Sequence, residues 1–289
     1  MKKILLPIDY STYSDNAVRY AINIAKKINA EIHLFHGIEM AELSPMAGVM
    51  MWPIENFSEL KEDADEDLKV YIENLKDDTS LGFPLPNITF SSETGSVKKI
   101  IDKLSQESHI DLIIMGLAGA GKLDRFFLGS NSKDVIEKTC IPVLLVPKEA
   151  PYKPINKIAF ATDFTEGDIN SIHNVARIFC LLDPEILLVH IDEAASDFHD
   201  PRTPANVFLN RVTCKLNYSK IYYRHVNAKK VEEGLKWLSE NGQIDMLAMI
   251  HRHPNLISRI LDGSYTQKLA TMVQLPLLVM PEDKTPIGW

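Results

Sequence analysis

Short apolar runs alternate with amphipathic stretches along this chain. Residues 4–8 form an apolar run of strand length, and behind it Ala17, Ala21, Ile24, Ala25 and Ile28 recur at helical spacing after a candidate cap, Ser14. The same pattern predicts strands over 31–37, 87–91, 110–115 and 142–146, separated by helices near 58–78, 96–107 and 130–139. Two of these strands, LIIM at 112–115 and VLLV at 143–146, are apolar without interruption, as strands covered on both faces must be. Strands alternating with helices point to a parallel sheet between helical layers; a β-sandwich would leave the helices unexplained.

The pattern then starts again. KKILLPIDYS at 2–11 returns as NKIAFATDFT at 156–165, with Asp163 in the place of Asp9, and EIHLFHGIE at 31–39 returns as EILLVHIDE at 185–193, both at an offset of 154. HIDLIIMG at 109–116 matches QIDMLAMI at 243–250, and CIPVLLVP at 140–147 matches QLPLLVMP at 274–281, now at an offset of 134. The second copy is therefore 20 residues shorter between these blocks. It predicts helix 168–180, strands 186–191 and 221–225, helix 229–241, strand 244–250, helix 264–273 and strand 276–280. A repeat of this size is a duplicated domain rather than a solenoid unit. The expected organisation is a domain over 1–147, a second over 155–281, each with its own core, and an exposed linker over 148–154.

Composition narrows the classes. With 45% hydrophobic and 24% charged residues, the 289-residue chain reads as ordinary globular protein, not disordered or low-complexity. A net charge of -8 argues against nucleic acid and anionic membrane as partners. Cys140, Cys180 and Cys214 are far apart and lack metal-ligand spacing, so they read as reduced, mostly buried thiols. The opening MKKILLPIDY lacks the apolar region of a signal peptide, and no run of about 20 apolar residues could span a bilayer, so a cytoplasmic location is expected.

The chemistry concentrates in GLAGAGKLDRFFLGSNS at 116–132. Its start nearly matches a P-loop, but Leu123 replaces the hydroxyl residue that would hold magnesium, and the loop follows a late strand; a P-loop ATPase is excluded. Gly129, Ser130, Asn131 and Ser132 instead open a helix, whose free N–H groups and dipole suit a phosphate; capping without any ligand is the competing reading. Asp9 lies past a strand end, either as a ligand group or as the cap of the following turn, and its duplicate Asp163 favours the cap. His36 and His190 read as structural histidines. Lys122 and Arg125 rank below the glycines as phosphate partners.

The spacing Gly116, two residues, Gly119, nine residues, Gly129–Ser130 resembles the universal stress protein family, specifically the ATP-binding branch, in a tandem two-domain type. Pro7-x-Asp9, His36 at the end of the second strand and Pro142–Val143 extend the likeness. The resemblance implies Rossmann-like, adenine nucleotide alpha hydrolase-like α/β domains with doubly wound parallel sheets of strand order 3-2-1-4-5, joined through their late strands into an internal pseudo-dimer. It implies ATP, with or without Mg, as cofactor. Adenine would lie between Asp9 and the backbone at His36–Gly37, the ribose near Met115–Gly116 and Leu117, and the phosphates over Gly119 and Gly129–Ser132, with Pro7 at the wall. An unidentified regulatory protein partner and further homodimerisation are compatible with it.

In the second copy Ile250 and His253 replace Gly116 and Gly119, and only Gly263–Ser264 survives. His251, Arg252 and His253 form a small basic cluster, read as a solvated loop. The extra length of the first copy includes SPMAGVMMWPIENF at 44–57, then a helix with an apolar stripe at Leu60, Ala64, Leu68 and Ile72. Three functions compete. An ATP-binding stress-response or regulatory protein with one competent site leads; a nucleotide-independent interaction scaffold and a slow ATP hydrolase or self-phosphorylating enzyme follow. No paired carboxylates or nucleophile–base pair favours catalysis. A dehydrogenase would need its glycine motif after the first strand.

Overall fold

The computed structural model describes residues 1–38, 55–117, 130–148, 150–192, 204–251 and 274–282, without the side chains of 55–57, 130 and 131. Ten strands form one continuous sheet. The first half contains β1 (Lys2–Ile8), β2 (Ala30–Ile38), β3 (Ile88–Thr94), β4 (Leu112–Leu117) and β5 (Val143–Pro147); the second contains β6 (Lys157–Ala161), β7 (Glu185–Asp192), β8 (Ile221–Asn227), β9 (Met246–His251) and β10 (Leu277–Pro281). The spatial order is β3-β2-β1-β4-β5-β10-β9-β6-β7-β8. Each half thus has the expected 3-2-1-4-5 order, and every pairing within a half is parallel. The halves join where β5 meets β10 antiparallel, Leu144 opposite Leu278. This is the internal pseudo-dimer: each late strand covers the open edge of the other.

Helices follow the strands as the periodicity requires: α1 (Thr12–Ile28), α2 (Glu55–Asp77), α3 (Val97–Glu107), α4 (Ser130–Lys138), α5 (Glu166–Phe179), α6 (Pro204–Lys215) and α7 (Val231–Asn241). The cap of α1 is Ser11 rather than Ser14; the Ser14 N–H donates to the Ser11 hydroxyl at 3.3 Å. Helix α6 was not expected from its short, weakly periodic segment. The stripe expected on α2 begins late: Leu68, Ile72 and Leu75 are buried, whereas Leu60 is 48% exposed. The helix expected at 264–273 lies outside the described residues. No helix among the described residues is long and apolar enough to cross a membrane.

The apolar core is arranged by face, not by half. One layer unites Leu6, Ile24, Leu34 and Ile114 with Phe160, Phe179, Leu188 and Met280; the other unites Leu5, Phe35, Ile113 and Leu145 with Val189, Leu235, Met249 and Val279. Two separate cores were expected, but a sheet continuous through β5 and β10 lets each layer run across the junction. Polar ties reinforce it: the Lys2 ammonium donates to the carbonyls of Arg177 and Ile178 near the end of α5, and the Arg177 guanidinium donates to Asp111 at 3.3 Å. The connecting segment is held down, not free. Asn16 donates to the carbonyls of Pro147 and Ala150, and Tyr152 stands edge-on to Tyr20 at 5.0 Å. The three cysteines are free as expected, yet all are exposed, because they fall on a turn, a helix end and an outward helix face.

Candidate functional site

The order 3-2-1-4-5 places the chain reversal between β1 and β4, and ligands of open α/β sheets enter beyond the carboxyl ends of strands at such a point. The ladder shows the opening. β1 stays paired with β2 through Ile8 and His36, but its register with β4 ends at Leu5 and Ile113. Beyond those pairs the two strands carry Pro7 and Asp9 on one side and Met115, Gly116 and Leu117 on the other.

Asp9 is exposed just past β1, and its carboxylate accepts the Ser11 N–H at 3.0 Å. Burial pushes its pKa up, but hydrogen bonds from Ser11 and Ser14 outweigh this, leaving the carboxyl below its ordinary value. It is therefore an acceptor at neutral pH. Tyr10 follows with φ 58°, a left-handed backbone that turns the chain from strand to helix and brings its ring 5.1 Å from His36. His36 is oriented from the other side: its Nδ1–H donates to the Ile8 carbonyl at 2.9 Å. In the neutral ring that leaves Nε2 as an acceptor. Tyr71 of α2 closes the group, edge-on to Tyr10 at 5.8 Å and donating to Asp15 at 2.7 Å. Burial, then the charges of Asp67 and Asp65, push the Tyr10 phenol up to about 12. Burial and the bond to Asp15 raise that of Tyr71 further. Both phenols stay protonated.

Tyr10 and Tyr71 escaped the sequence reading. A signal existed: the residue after the duplicated aspartate is aromatic in both copies, Tyr10 and Phe164, and left-handed in both, with φ 63° at Phe164.

Gly37 and Gly116 have packing reasons for their size. A Cβ on Gly116 would stand 2.5 Å from the Tyr13 carbonyl oxygen of α1, and one on Gly37 would stand 3.2 Å from Ile100 Cδ1 of α3. Met115 and Leu117 bury their side chains in the core, so only their backbone faces the crevice end. Ser132 is also buried. The backbone of Ser130 and Asn131 opens α4, while Gly119 and Gly129 lie outside the described residues. The described structure thus gathers Asp9, His36, Gly37 and Gly116 around the ends of three adjoining strands.

The second half repeats the scaffold with other chemistry. The Nδ1–H of His190 donates to the Thr162 carbonyl at 2.8 Å, and Phe164 stacks on it at 4.2 Å. Phe208 of α6 packs on that ring at 5.4 Å. Asp168, at the position of Ser14, is fully buried; one carboxylate oxygen accepts the Thr162 hydroxyl and the N–H groups of Asp163 and Thr165. A cavity of about 90 Å³ remains at the strand ends, lined in part by Asp163, Asp168, Ile191 and Ile250.

The family model of the universal stress protein family matches residues 1–147. A universal stress protein of Methanocaldococcus jannaschii is 32% identical over 148 residues, covering 51% of this chain and 82% of that protein. One from Synechocystis is 22% identical over 297 residues, 96% of this chain and 99% of that protein. Among solved structures, a universal stress protein from Archaeoglobus fulgidus shares the fold with a TM-score of 0.72 at 18% identity, covering 97% of this chain and 98% of that one. The strand order, the strand-end cluster and the matched span together place the chain in the universal stress protein family.

Proposed function

We propose that this chain is a regulatory protein that binds one adenine nucleotide, ATP, at the first half, and that its second half, residues 155–281, binds none. The observation that carries the reading is the parting of β1 from β4 beyond Leu5 and Ile113, with Asp9 at one lip and the Gly116 backbone at the other. The Asp9 carboxylate, an acceptor only, suits the exocyclic amine of adenine. The N–H groups at the start of α4 suit phosphate oxygens, and the spacing of Gly116, Gly119, Gly129 and Ser130 supports the same assignment. Mg²⁺ would arrive with the phosphates and keep most of its waters. The chain's own groups bind and orient the nucleotide.

Calorimetric titration with ATP tests this. One ATP binds per chain, and Gly119→Val weakens binding while leaving the unfolding midpoint unchanged. No heat at about millimolar ATP overturns the reading.

A further inference from the structure

The two outer ends of the sheet carry opposite charge. At one end lie β3 and α2, where residues 58–78 hold nine Asp or Glu and three Lys. At the other lie β8 and α6, where residues 204–230 hold six Lys or Arg and no acid. Among the described residues each outer strand has a neighbour on one side only, β2 for β3 and β7 for β8. Glu59, Glu62, Asp63, Glu66 and Asp67 are exposed at the acidic end. At the basic end Glu166 pairs with Arg211 and Lys215, and Asp183 with Lys220, while Arg224, Lys229 and Lys230 stay exposed. Apolar residues accompany both charges: Leu60 and Val70 are exposed on α2, Val207 on α6 and Tyr222 on β8.

We propose that these ends are complementary docking surfaces for a second copy of this chain, β3 and α2 of one molecule meeting β8 and α6 of the next. The edges that close the two halves on each other, β5 and β10, are already joined, so edge-to-edge association falls to the outer strands. The directions agree with such a contact. Strands of a half are parallel and the halves are antiparallel, so successive copies in one orientation would set β8 against β3 antiparallel, as β10 is set against β5. The contact is heterologous and leaves a free surface of each kind, so it propagates into chains of molecules. The net charge of -8 repels at long range, but at about 0.1 M salt the screening length is about 10 Å and only charges near the contact count. The inference is independent of nucleotide binding.

Sedimentation velocity tests it. At about 0.2 mM protein in about 0.1 M salt, wild type sediments as a concentration-dependent series beyond the monomer, and about 1 M salt returns it to monomer. Arg224→Glu with Lys229→Glu abolishes self-association, and so does Glu62→Lys with Asp63→Lys. Each variant retains one native end and the two reversed ends are again of opposite charge, so mixing the two variants restores association. Circular dichroism confirms that both are folded. A wild-type monomer at every salt concentration overturns the proposal, including when the protein is retained on a polyanion resin, which assigns the basic end to another partner. Self-association that survives both charge reversals also overturns it.

Discussion

At the ends of β1 and β6 the two halves hold the same backbone with different chemistry. Tyr10 and Phe164 are both left-handed, and His36 and His190 both donate to the carbonyl two residues ahead of these rings. In the first half the turn is completed by the exposed Asp9 and the half-buried Ser11, polar groups at the crevice end. In the second the buried Asp168 draws the turn's N–H groups to itself, and Phe208 packs on the aromatic ring. The scaffold needs the aromatic–histidine pair; the ligand, if one is held, needs what surrounds it. Duplication allows the two roles to be compared on one scaffold, because a fold fixes where loops sit and leaves their chemistry to individual residues.

The glycines teach the same lesson more sharply. By the repeat, Gly37 and Ile100 correspond to Ile191 and Gly234. A Cβ on Gly37 would press on Ile100, and a Cβ on Gly234 would stand 2.6 Å from Ile191 Cγ2. Strand end and helix therefore meet through one isoleucine and one glycine in both halves, with the partners exchanged. The strongest test breaks this pair. Ile100→Gly should cost about 3–5 kcal/mol through the void and the helical glycine. Gly37→Ile should cost about 1–3 kcal/mol by overpacking. The double variant, which copies the second half, should recover at least about 1 kcal/mol relative to the sum, as a coupled pair does. Denaturant unfolding of the four proteins measures it; strict additivity would show that the exchange is accidental.

At the end of β4 the second half carries Ile250 where the first has Gly116. Gly116→Ile drives a branched side chain at the Tyr13 carbonyl, so a loss of about 3 kcal/mol is expected, together with loss of ATP binding. Titration calorimetry and denaturant unfolding of the one variant read both losses; retained ATP binding would show that the open glycine backbone has no part in the site.

The alternation of strands and helices and the duplication were legible in the apolar runs and the repeat, whereas the sheet order and the junction rested on the family resemblance. The cap of α1 was misread by three residues, since Ser11 and Ser14 lie one turn apart and both belong to the cap: the first accepts and the second donates. Helix α6 was illegible because its few buried residues, Ala205, Phe208 and Val212, make a thin stripe. Asp9 and His36 were singled out in the sequence, but the aromatic ring beside them was not, although Tyr10 and Phe164 follow the duplicated aspartate in both copies. The glycines were read as ligand positions; that neighbours also forbid a side chain at Gly37 and Gly116 is a tertiary fact, visible only once α3 and α1 are in place.

The polar groups give the next test of the comparison. Asp168→Ala in the second half removes a buried acceptor from three donors and should cost about 2 kcal/mol, measured as a lowered unfolding midpoint. Ser14→Ala, at the corresponding place in the first half, removes a hydroxyl that donates to the Ser11 carbonyl, and should cost under about 1 kcal/mol.

The smallest effect belongs to Asp9. Its folded pKa lies below the ordinary 3.8, so the carboxylate's contribution to stability is fully present above that value and disappears as the pH falls through the lower folded one. Wild type should therefore exceed Asp9→Asn in melting temperature by a constant small margin from about pH 5 to 8, and the margin should shrink below about pH 3.8. ATP affinity should behave differently: if the Asp9 charge receives the adenine amine, Asp9→Asn weakens binding clearly at neutral pH, where its effect on folding is slight. A variant that lost stability and kept full affinity would make Asp9 only the cap of its turn, and the first half would then differ from the second in its glycines rather than in its acid.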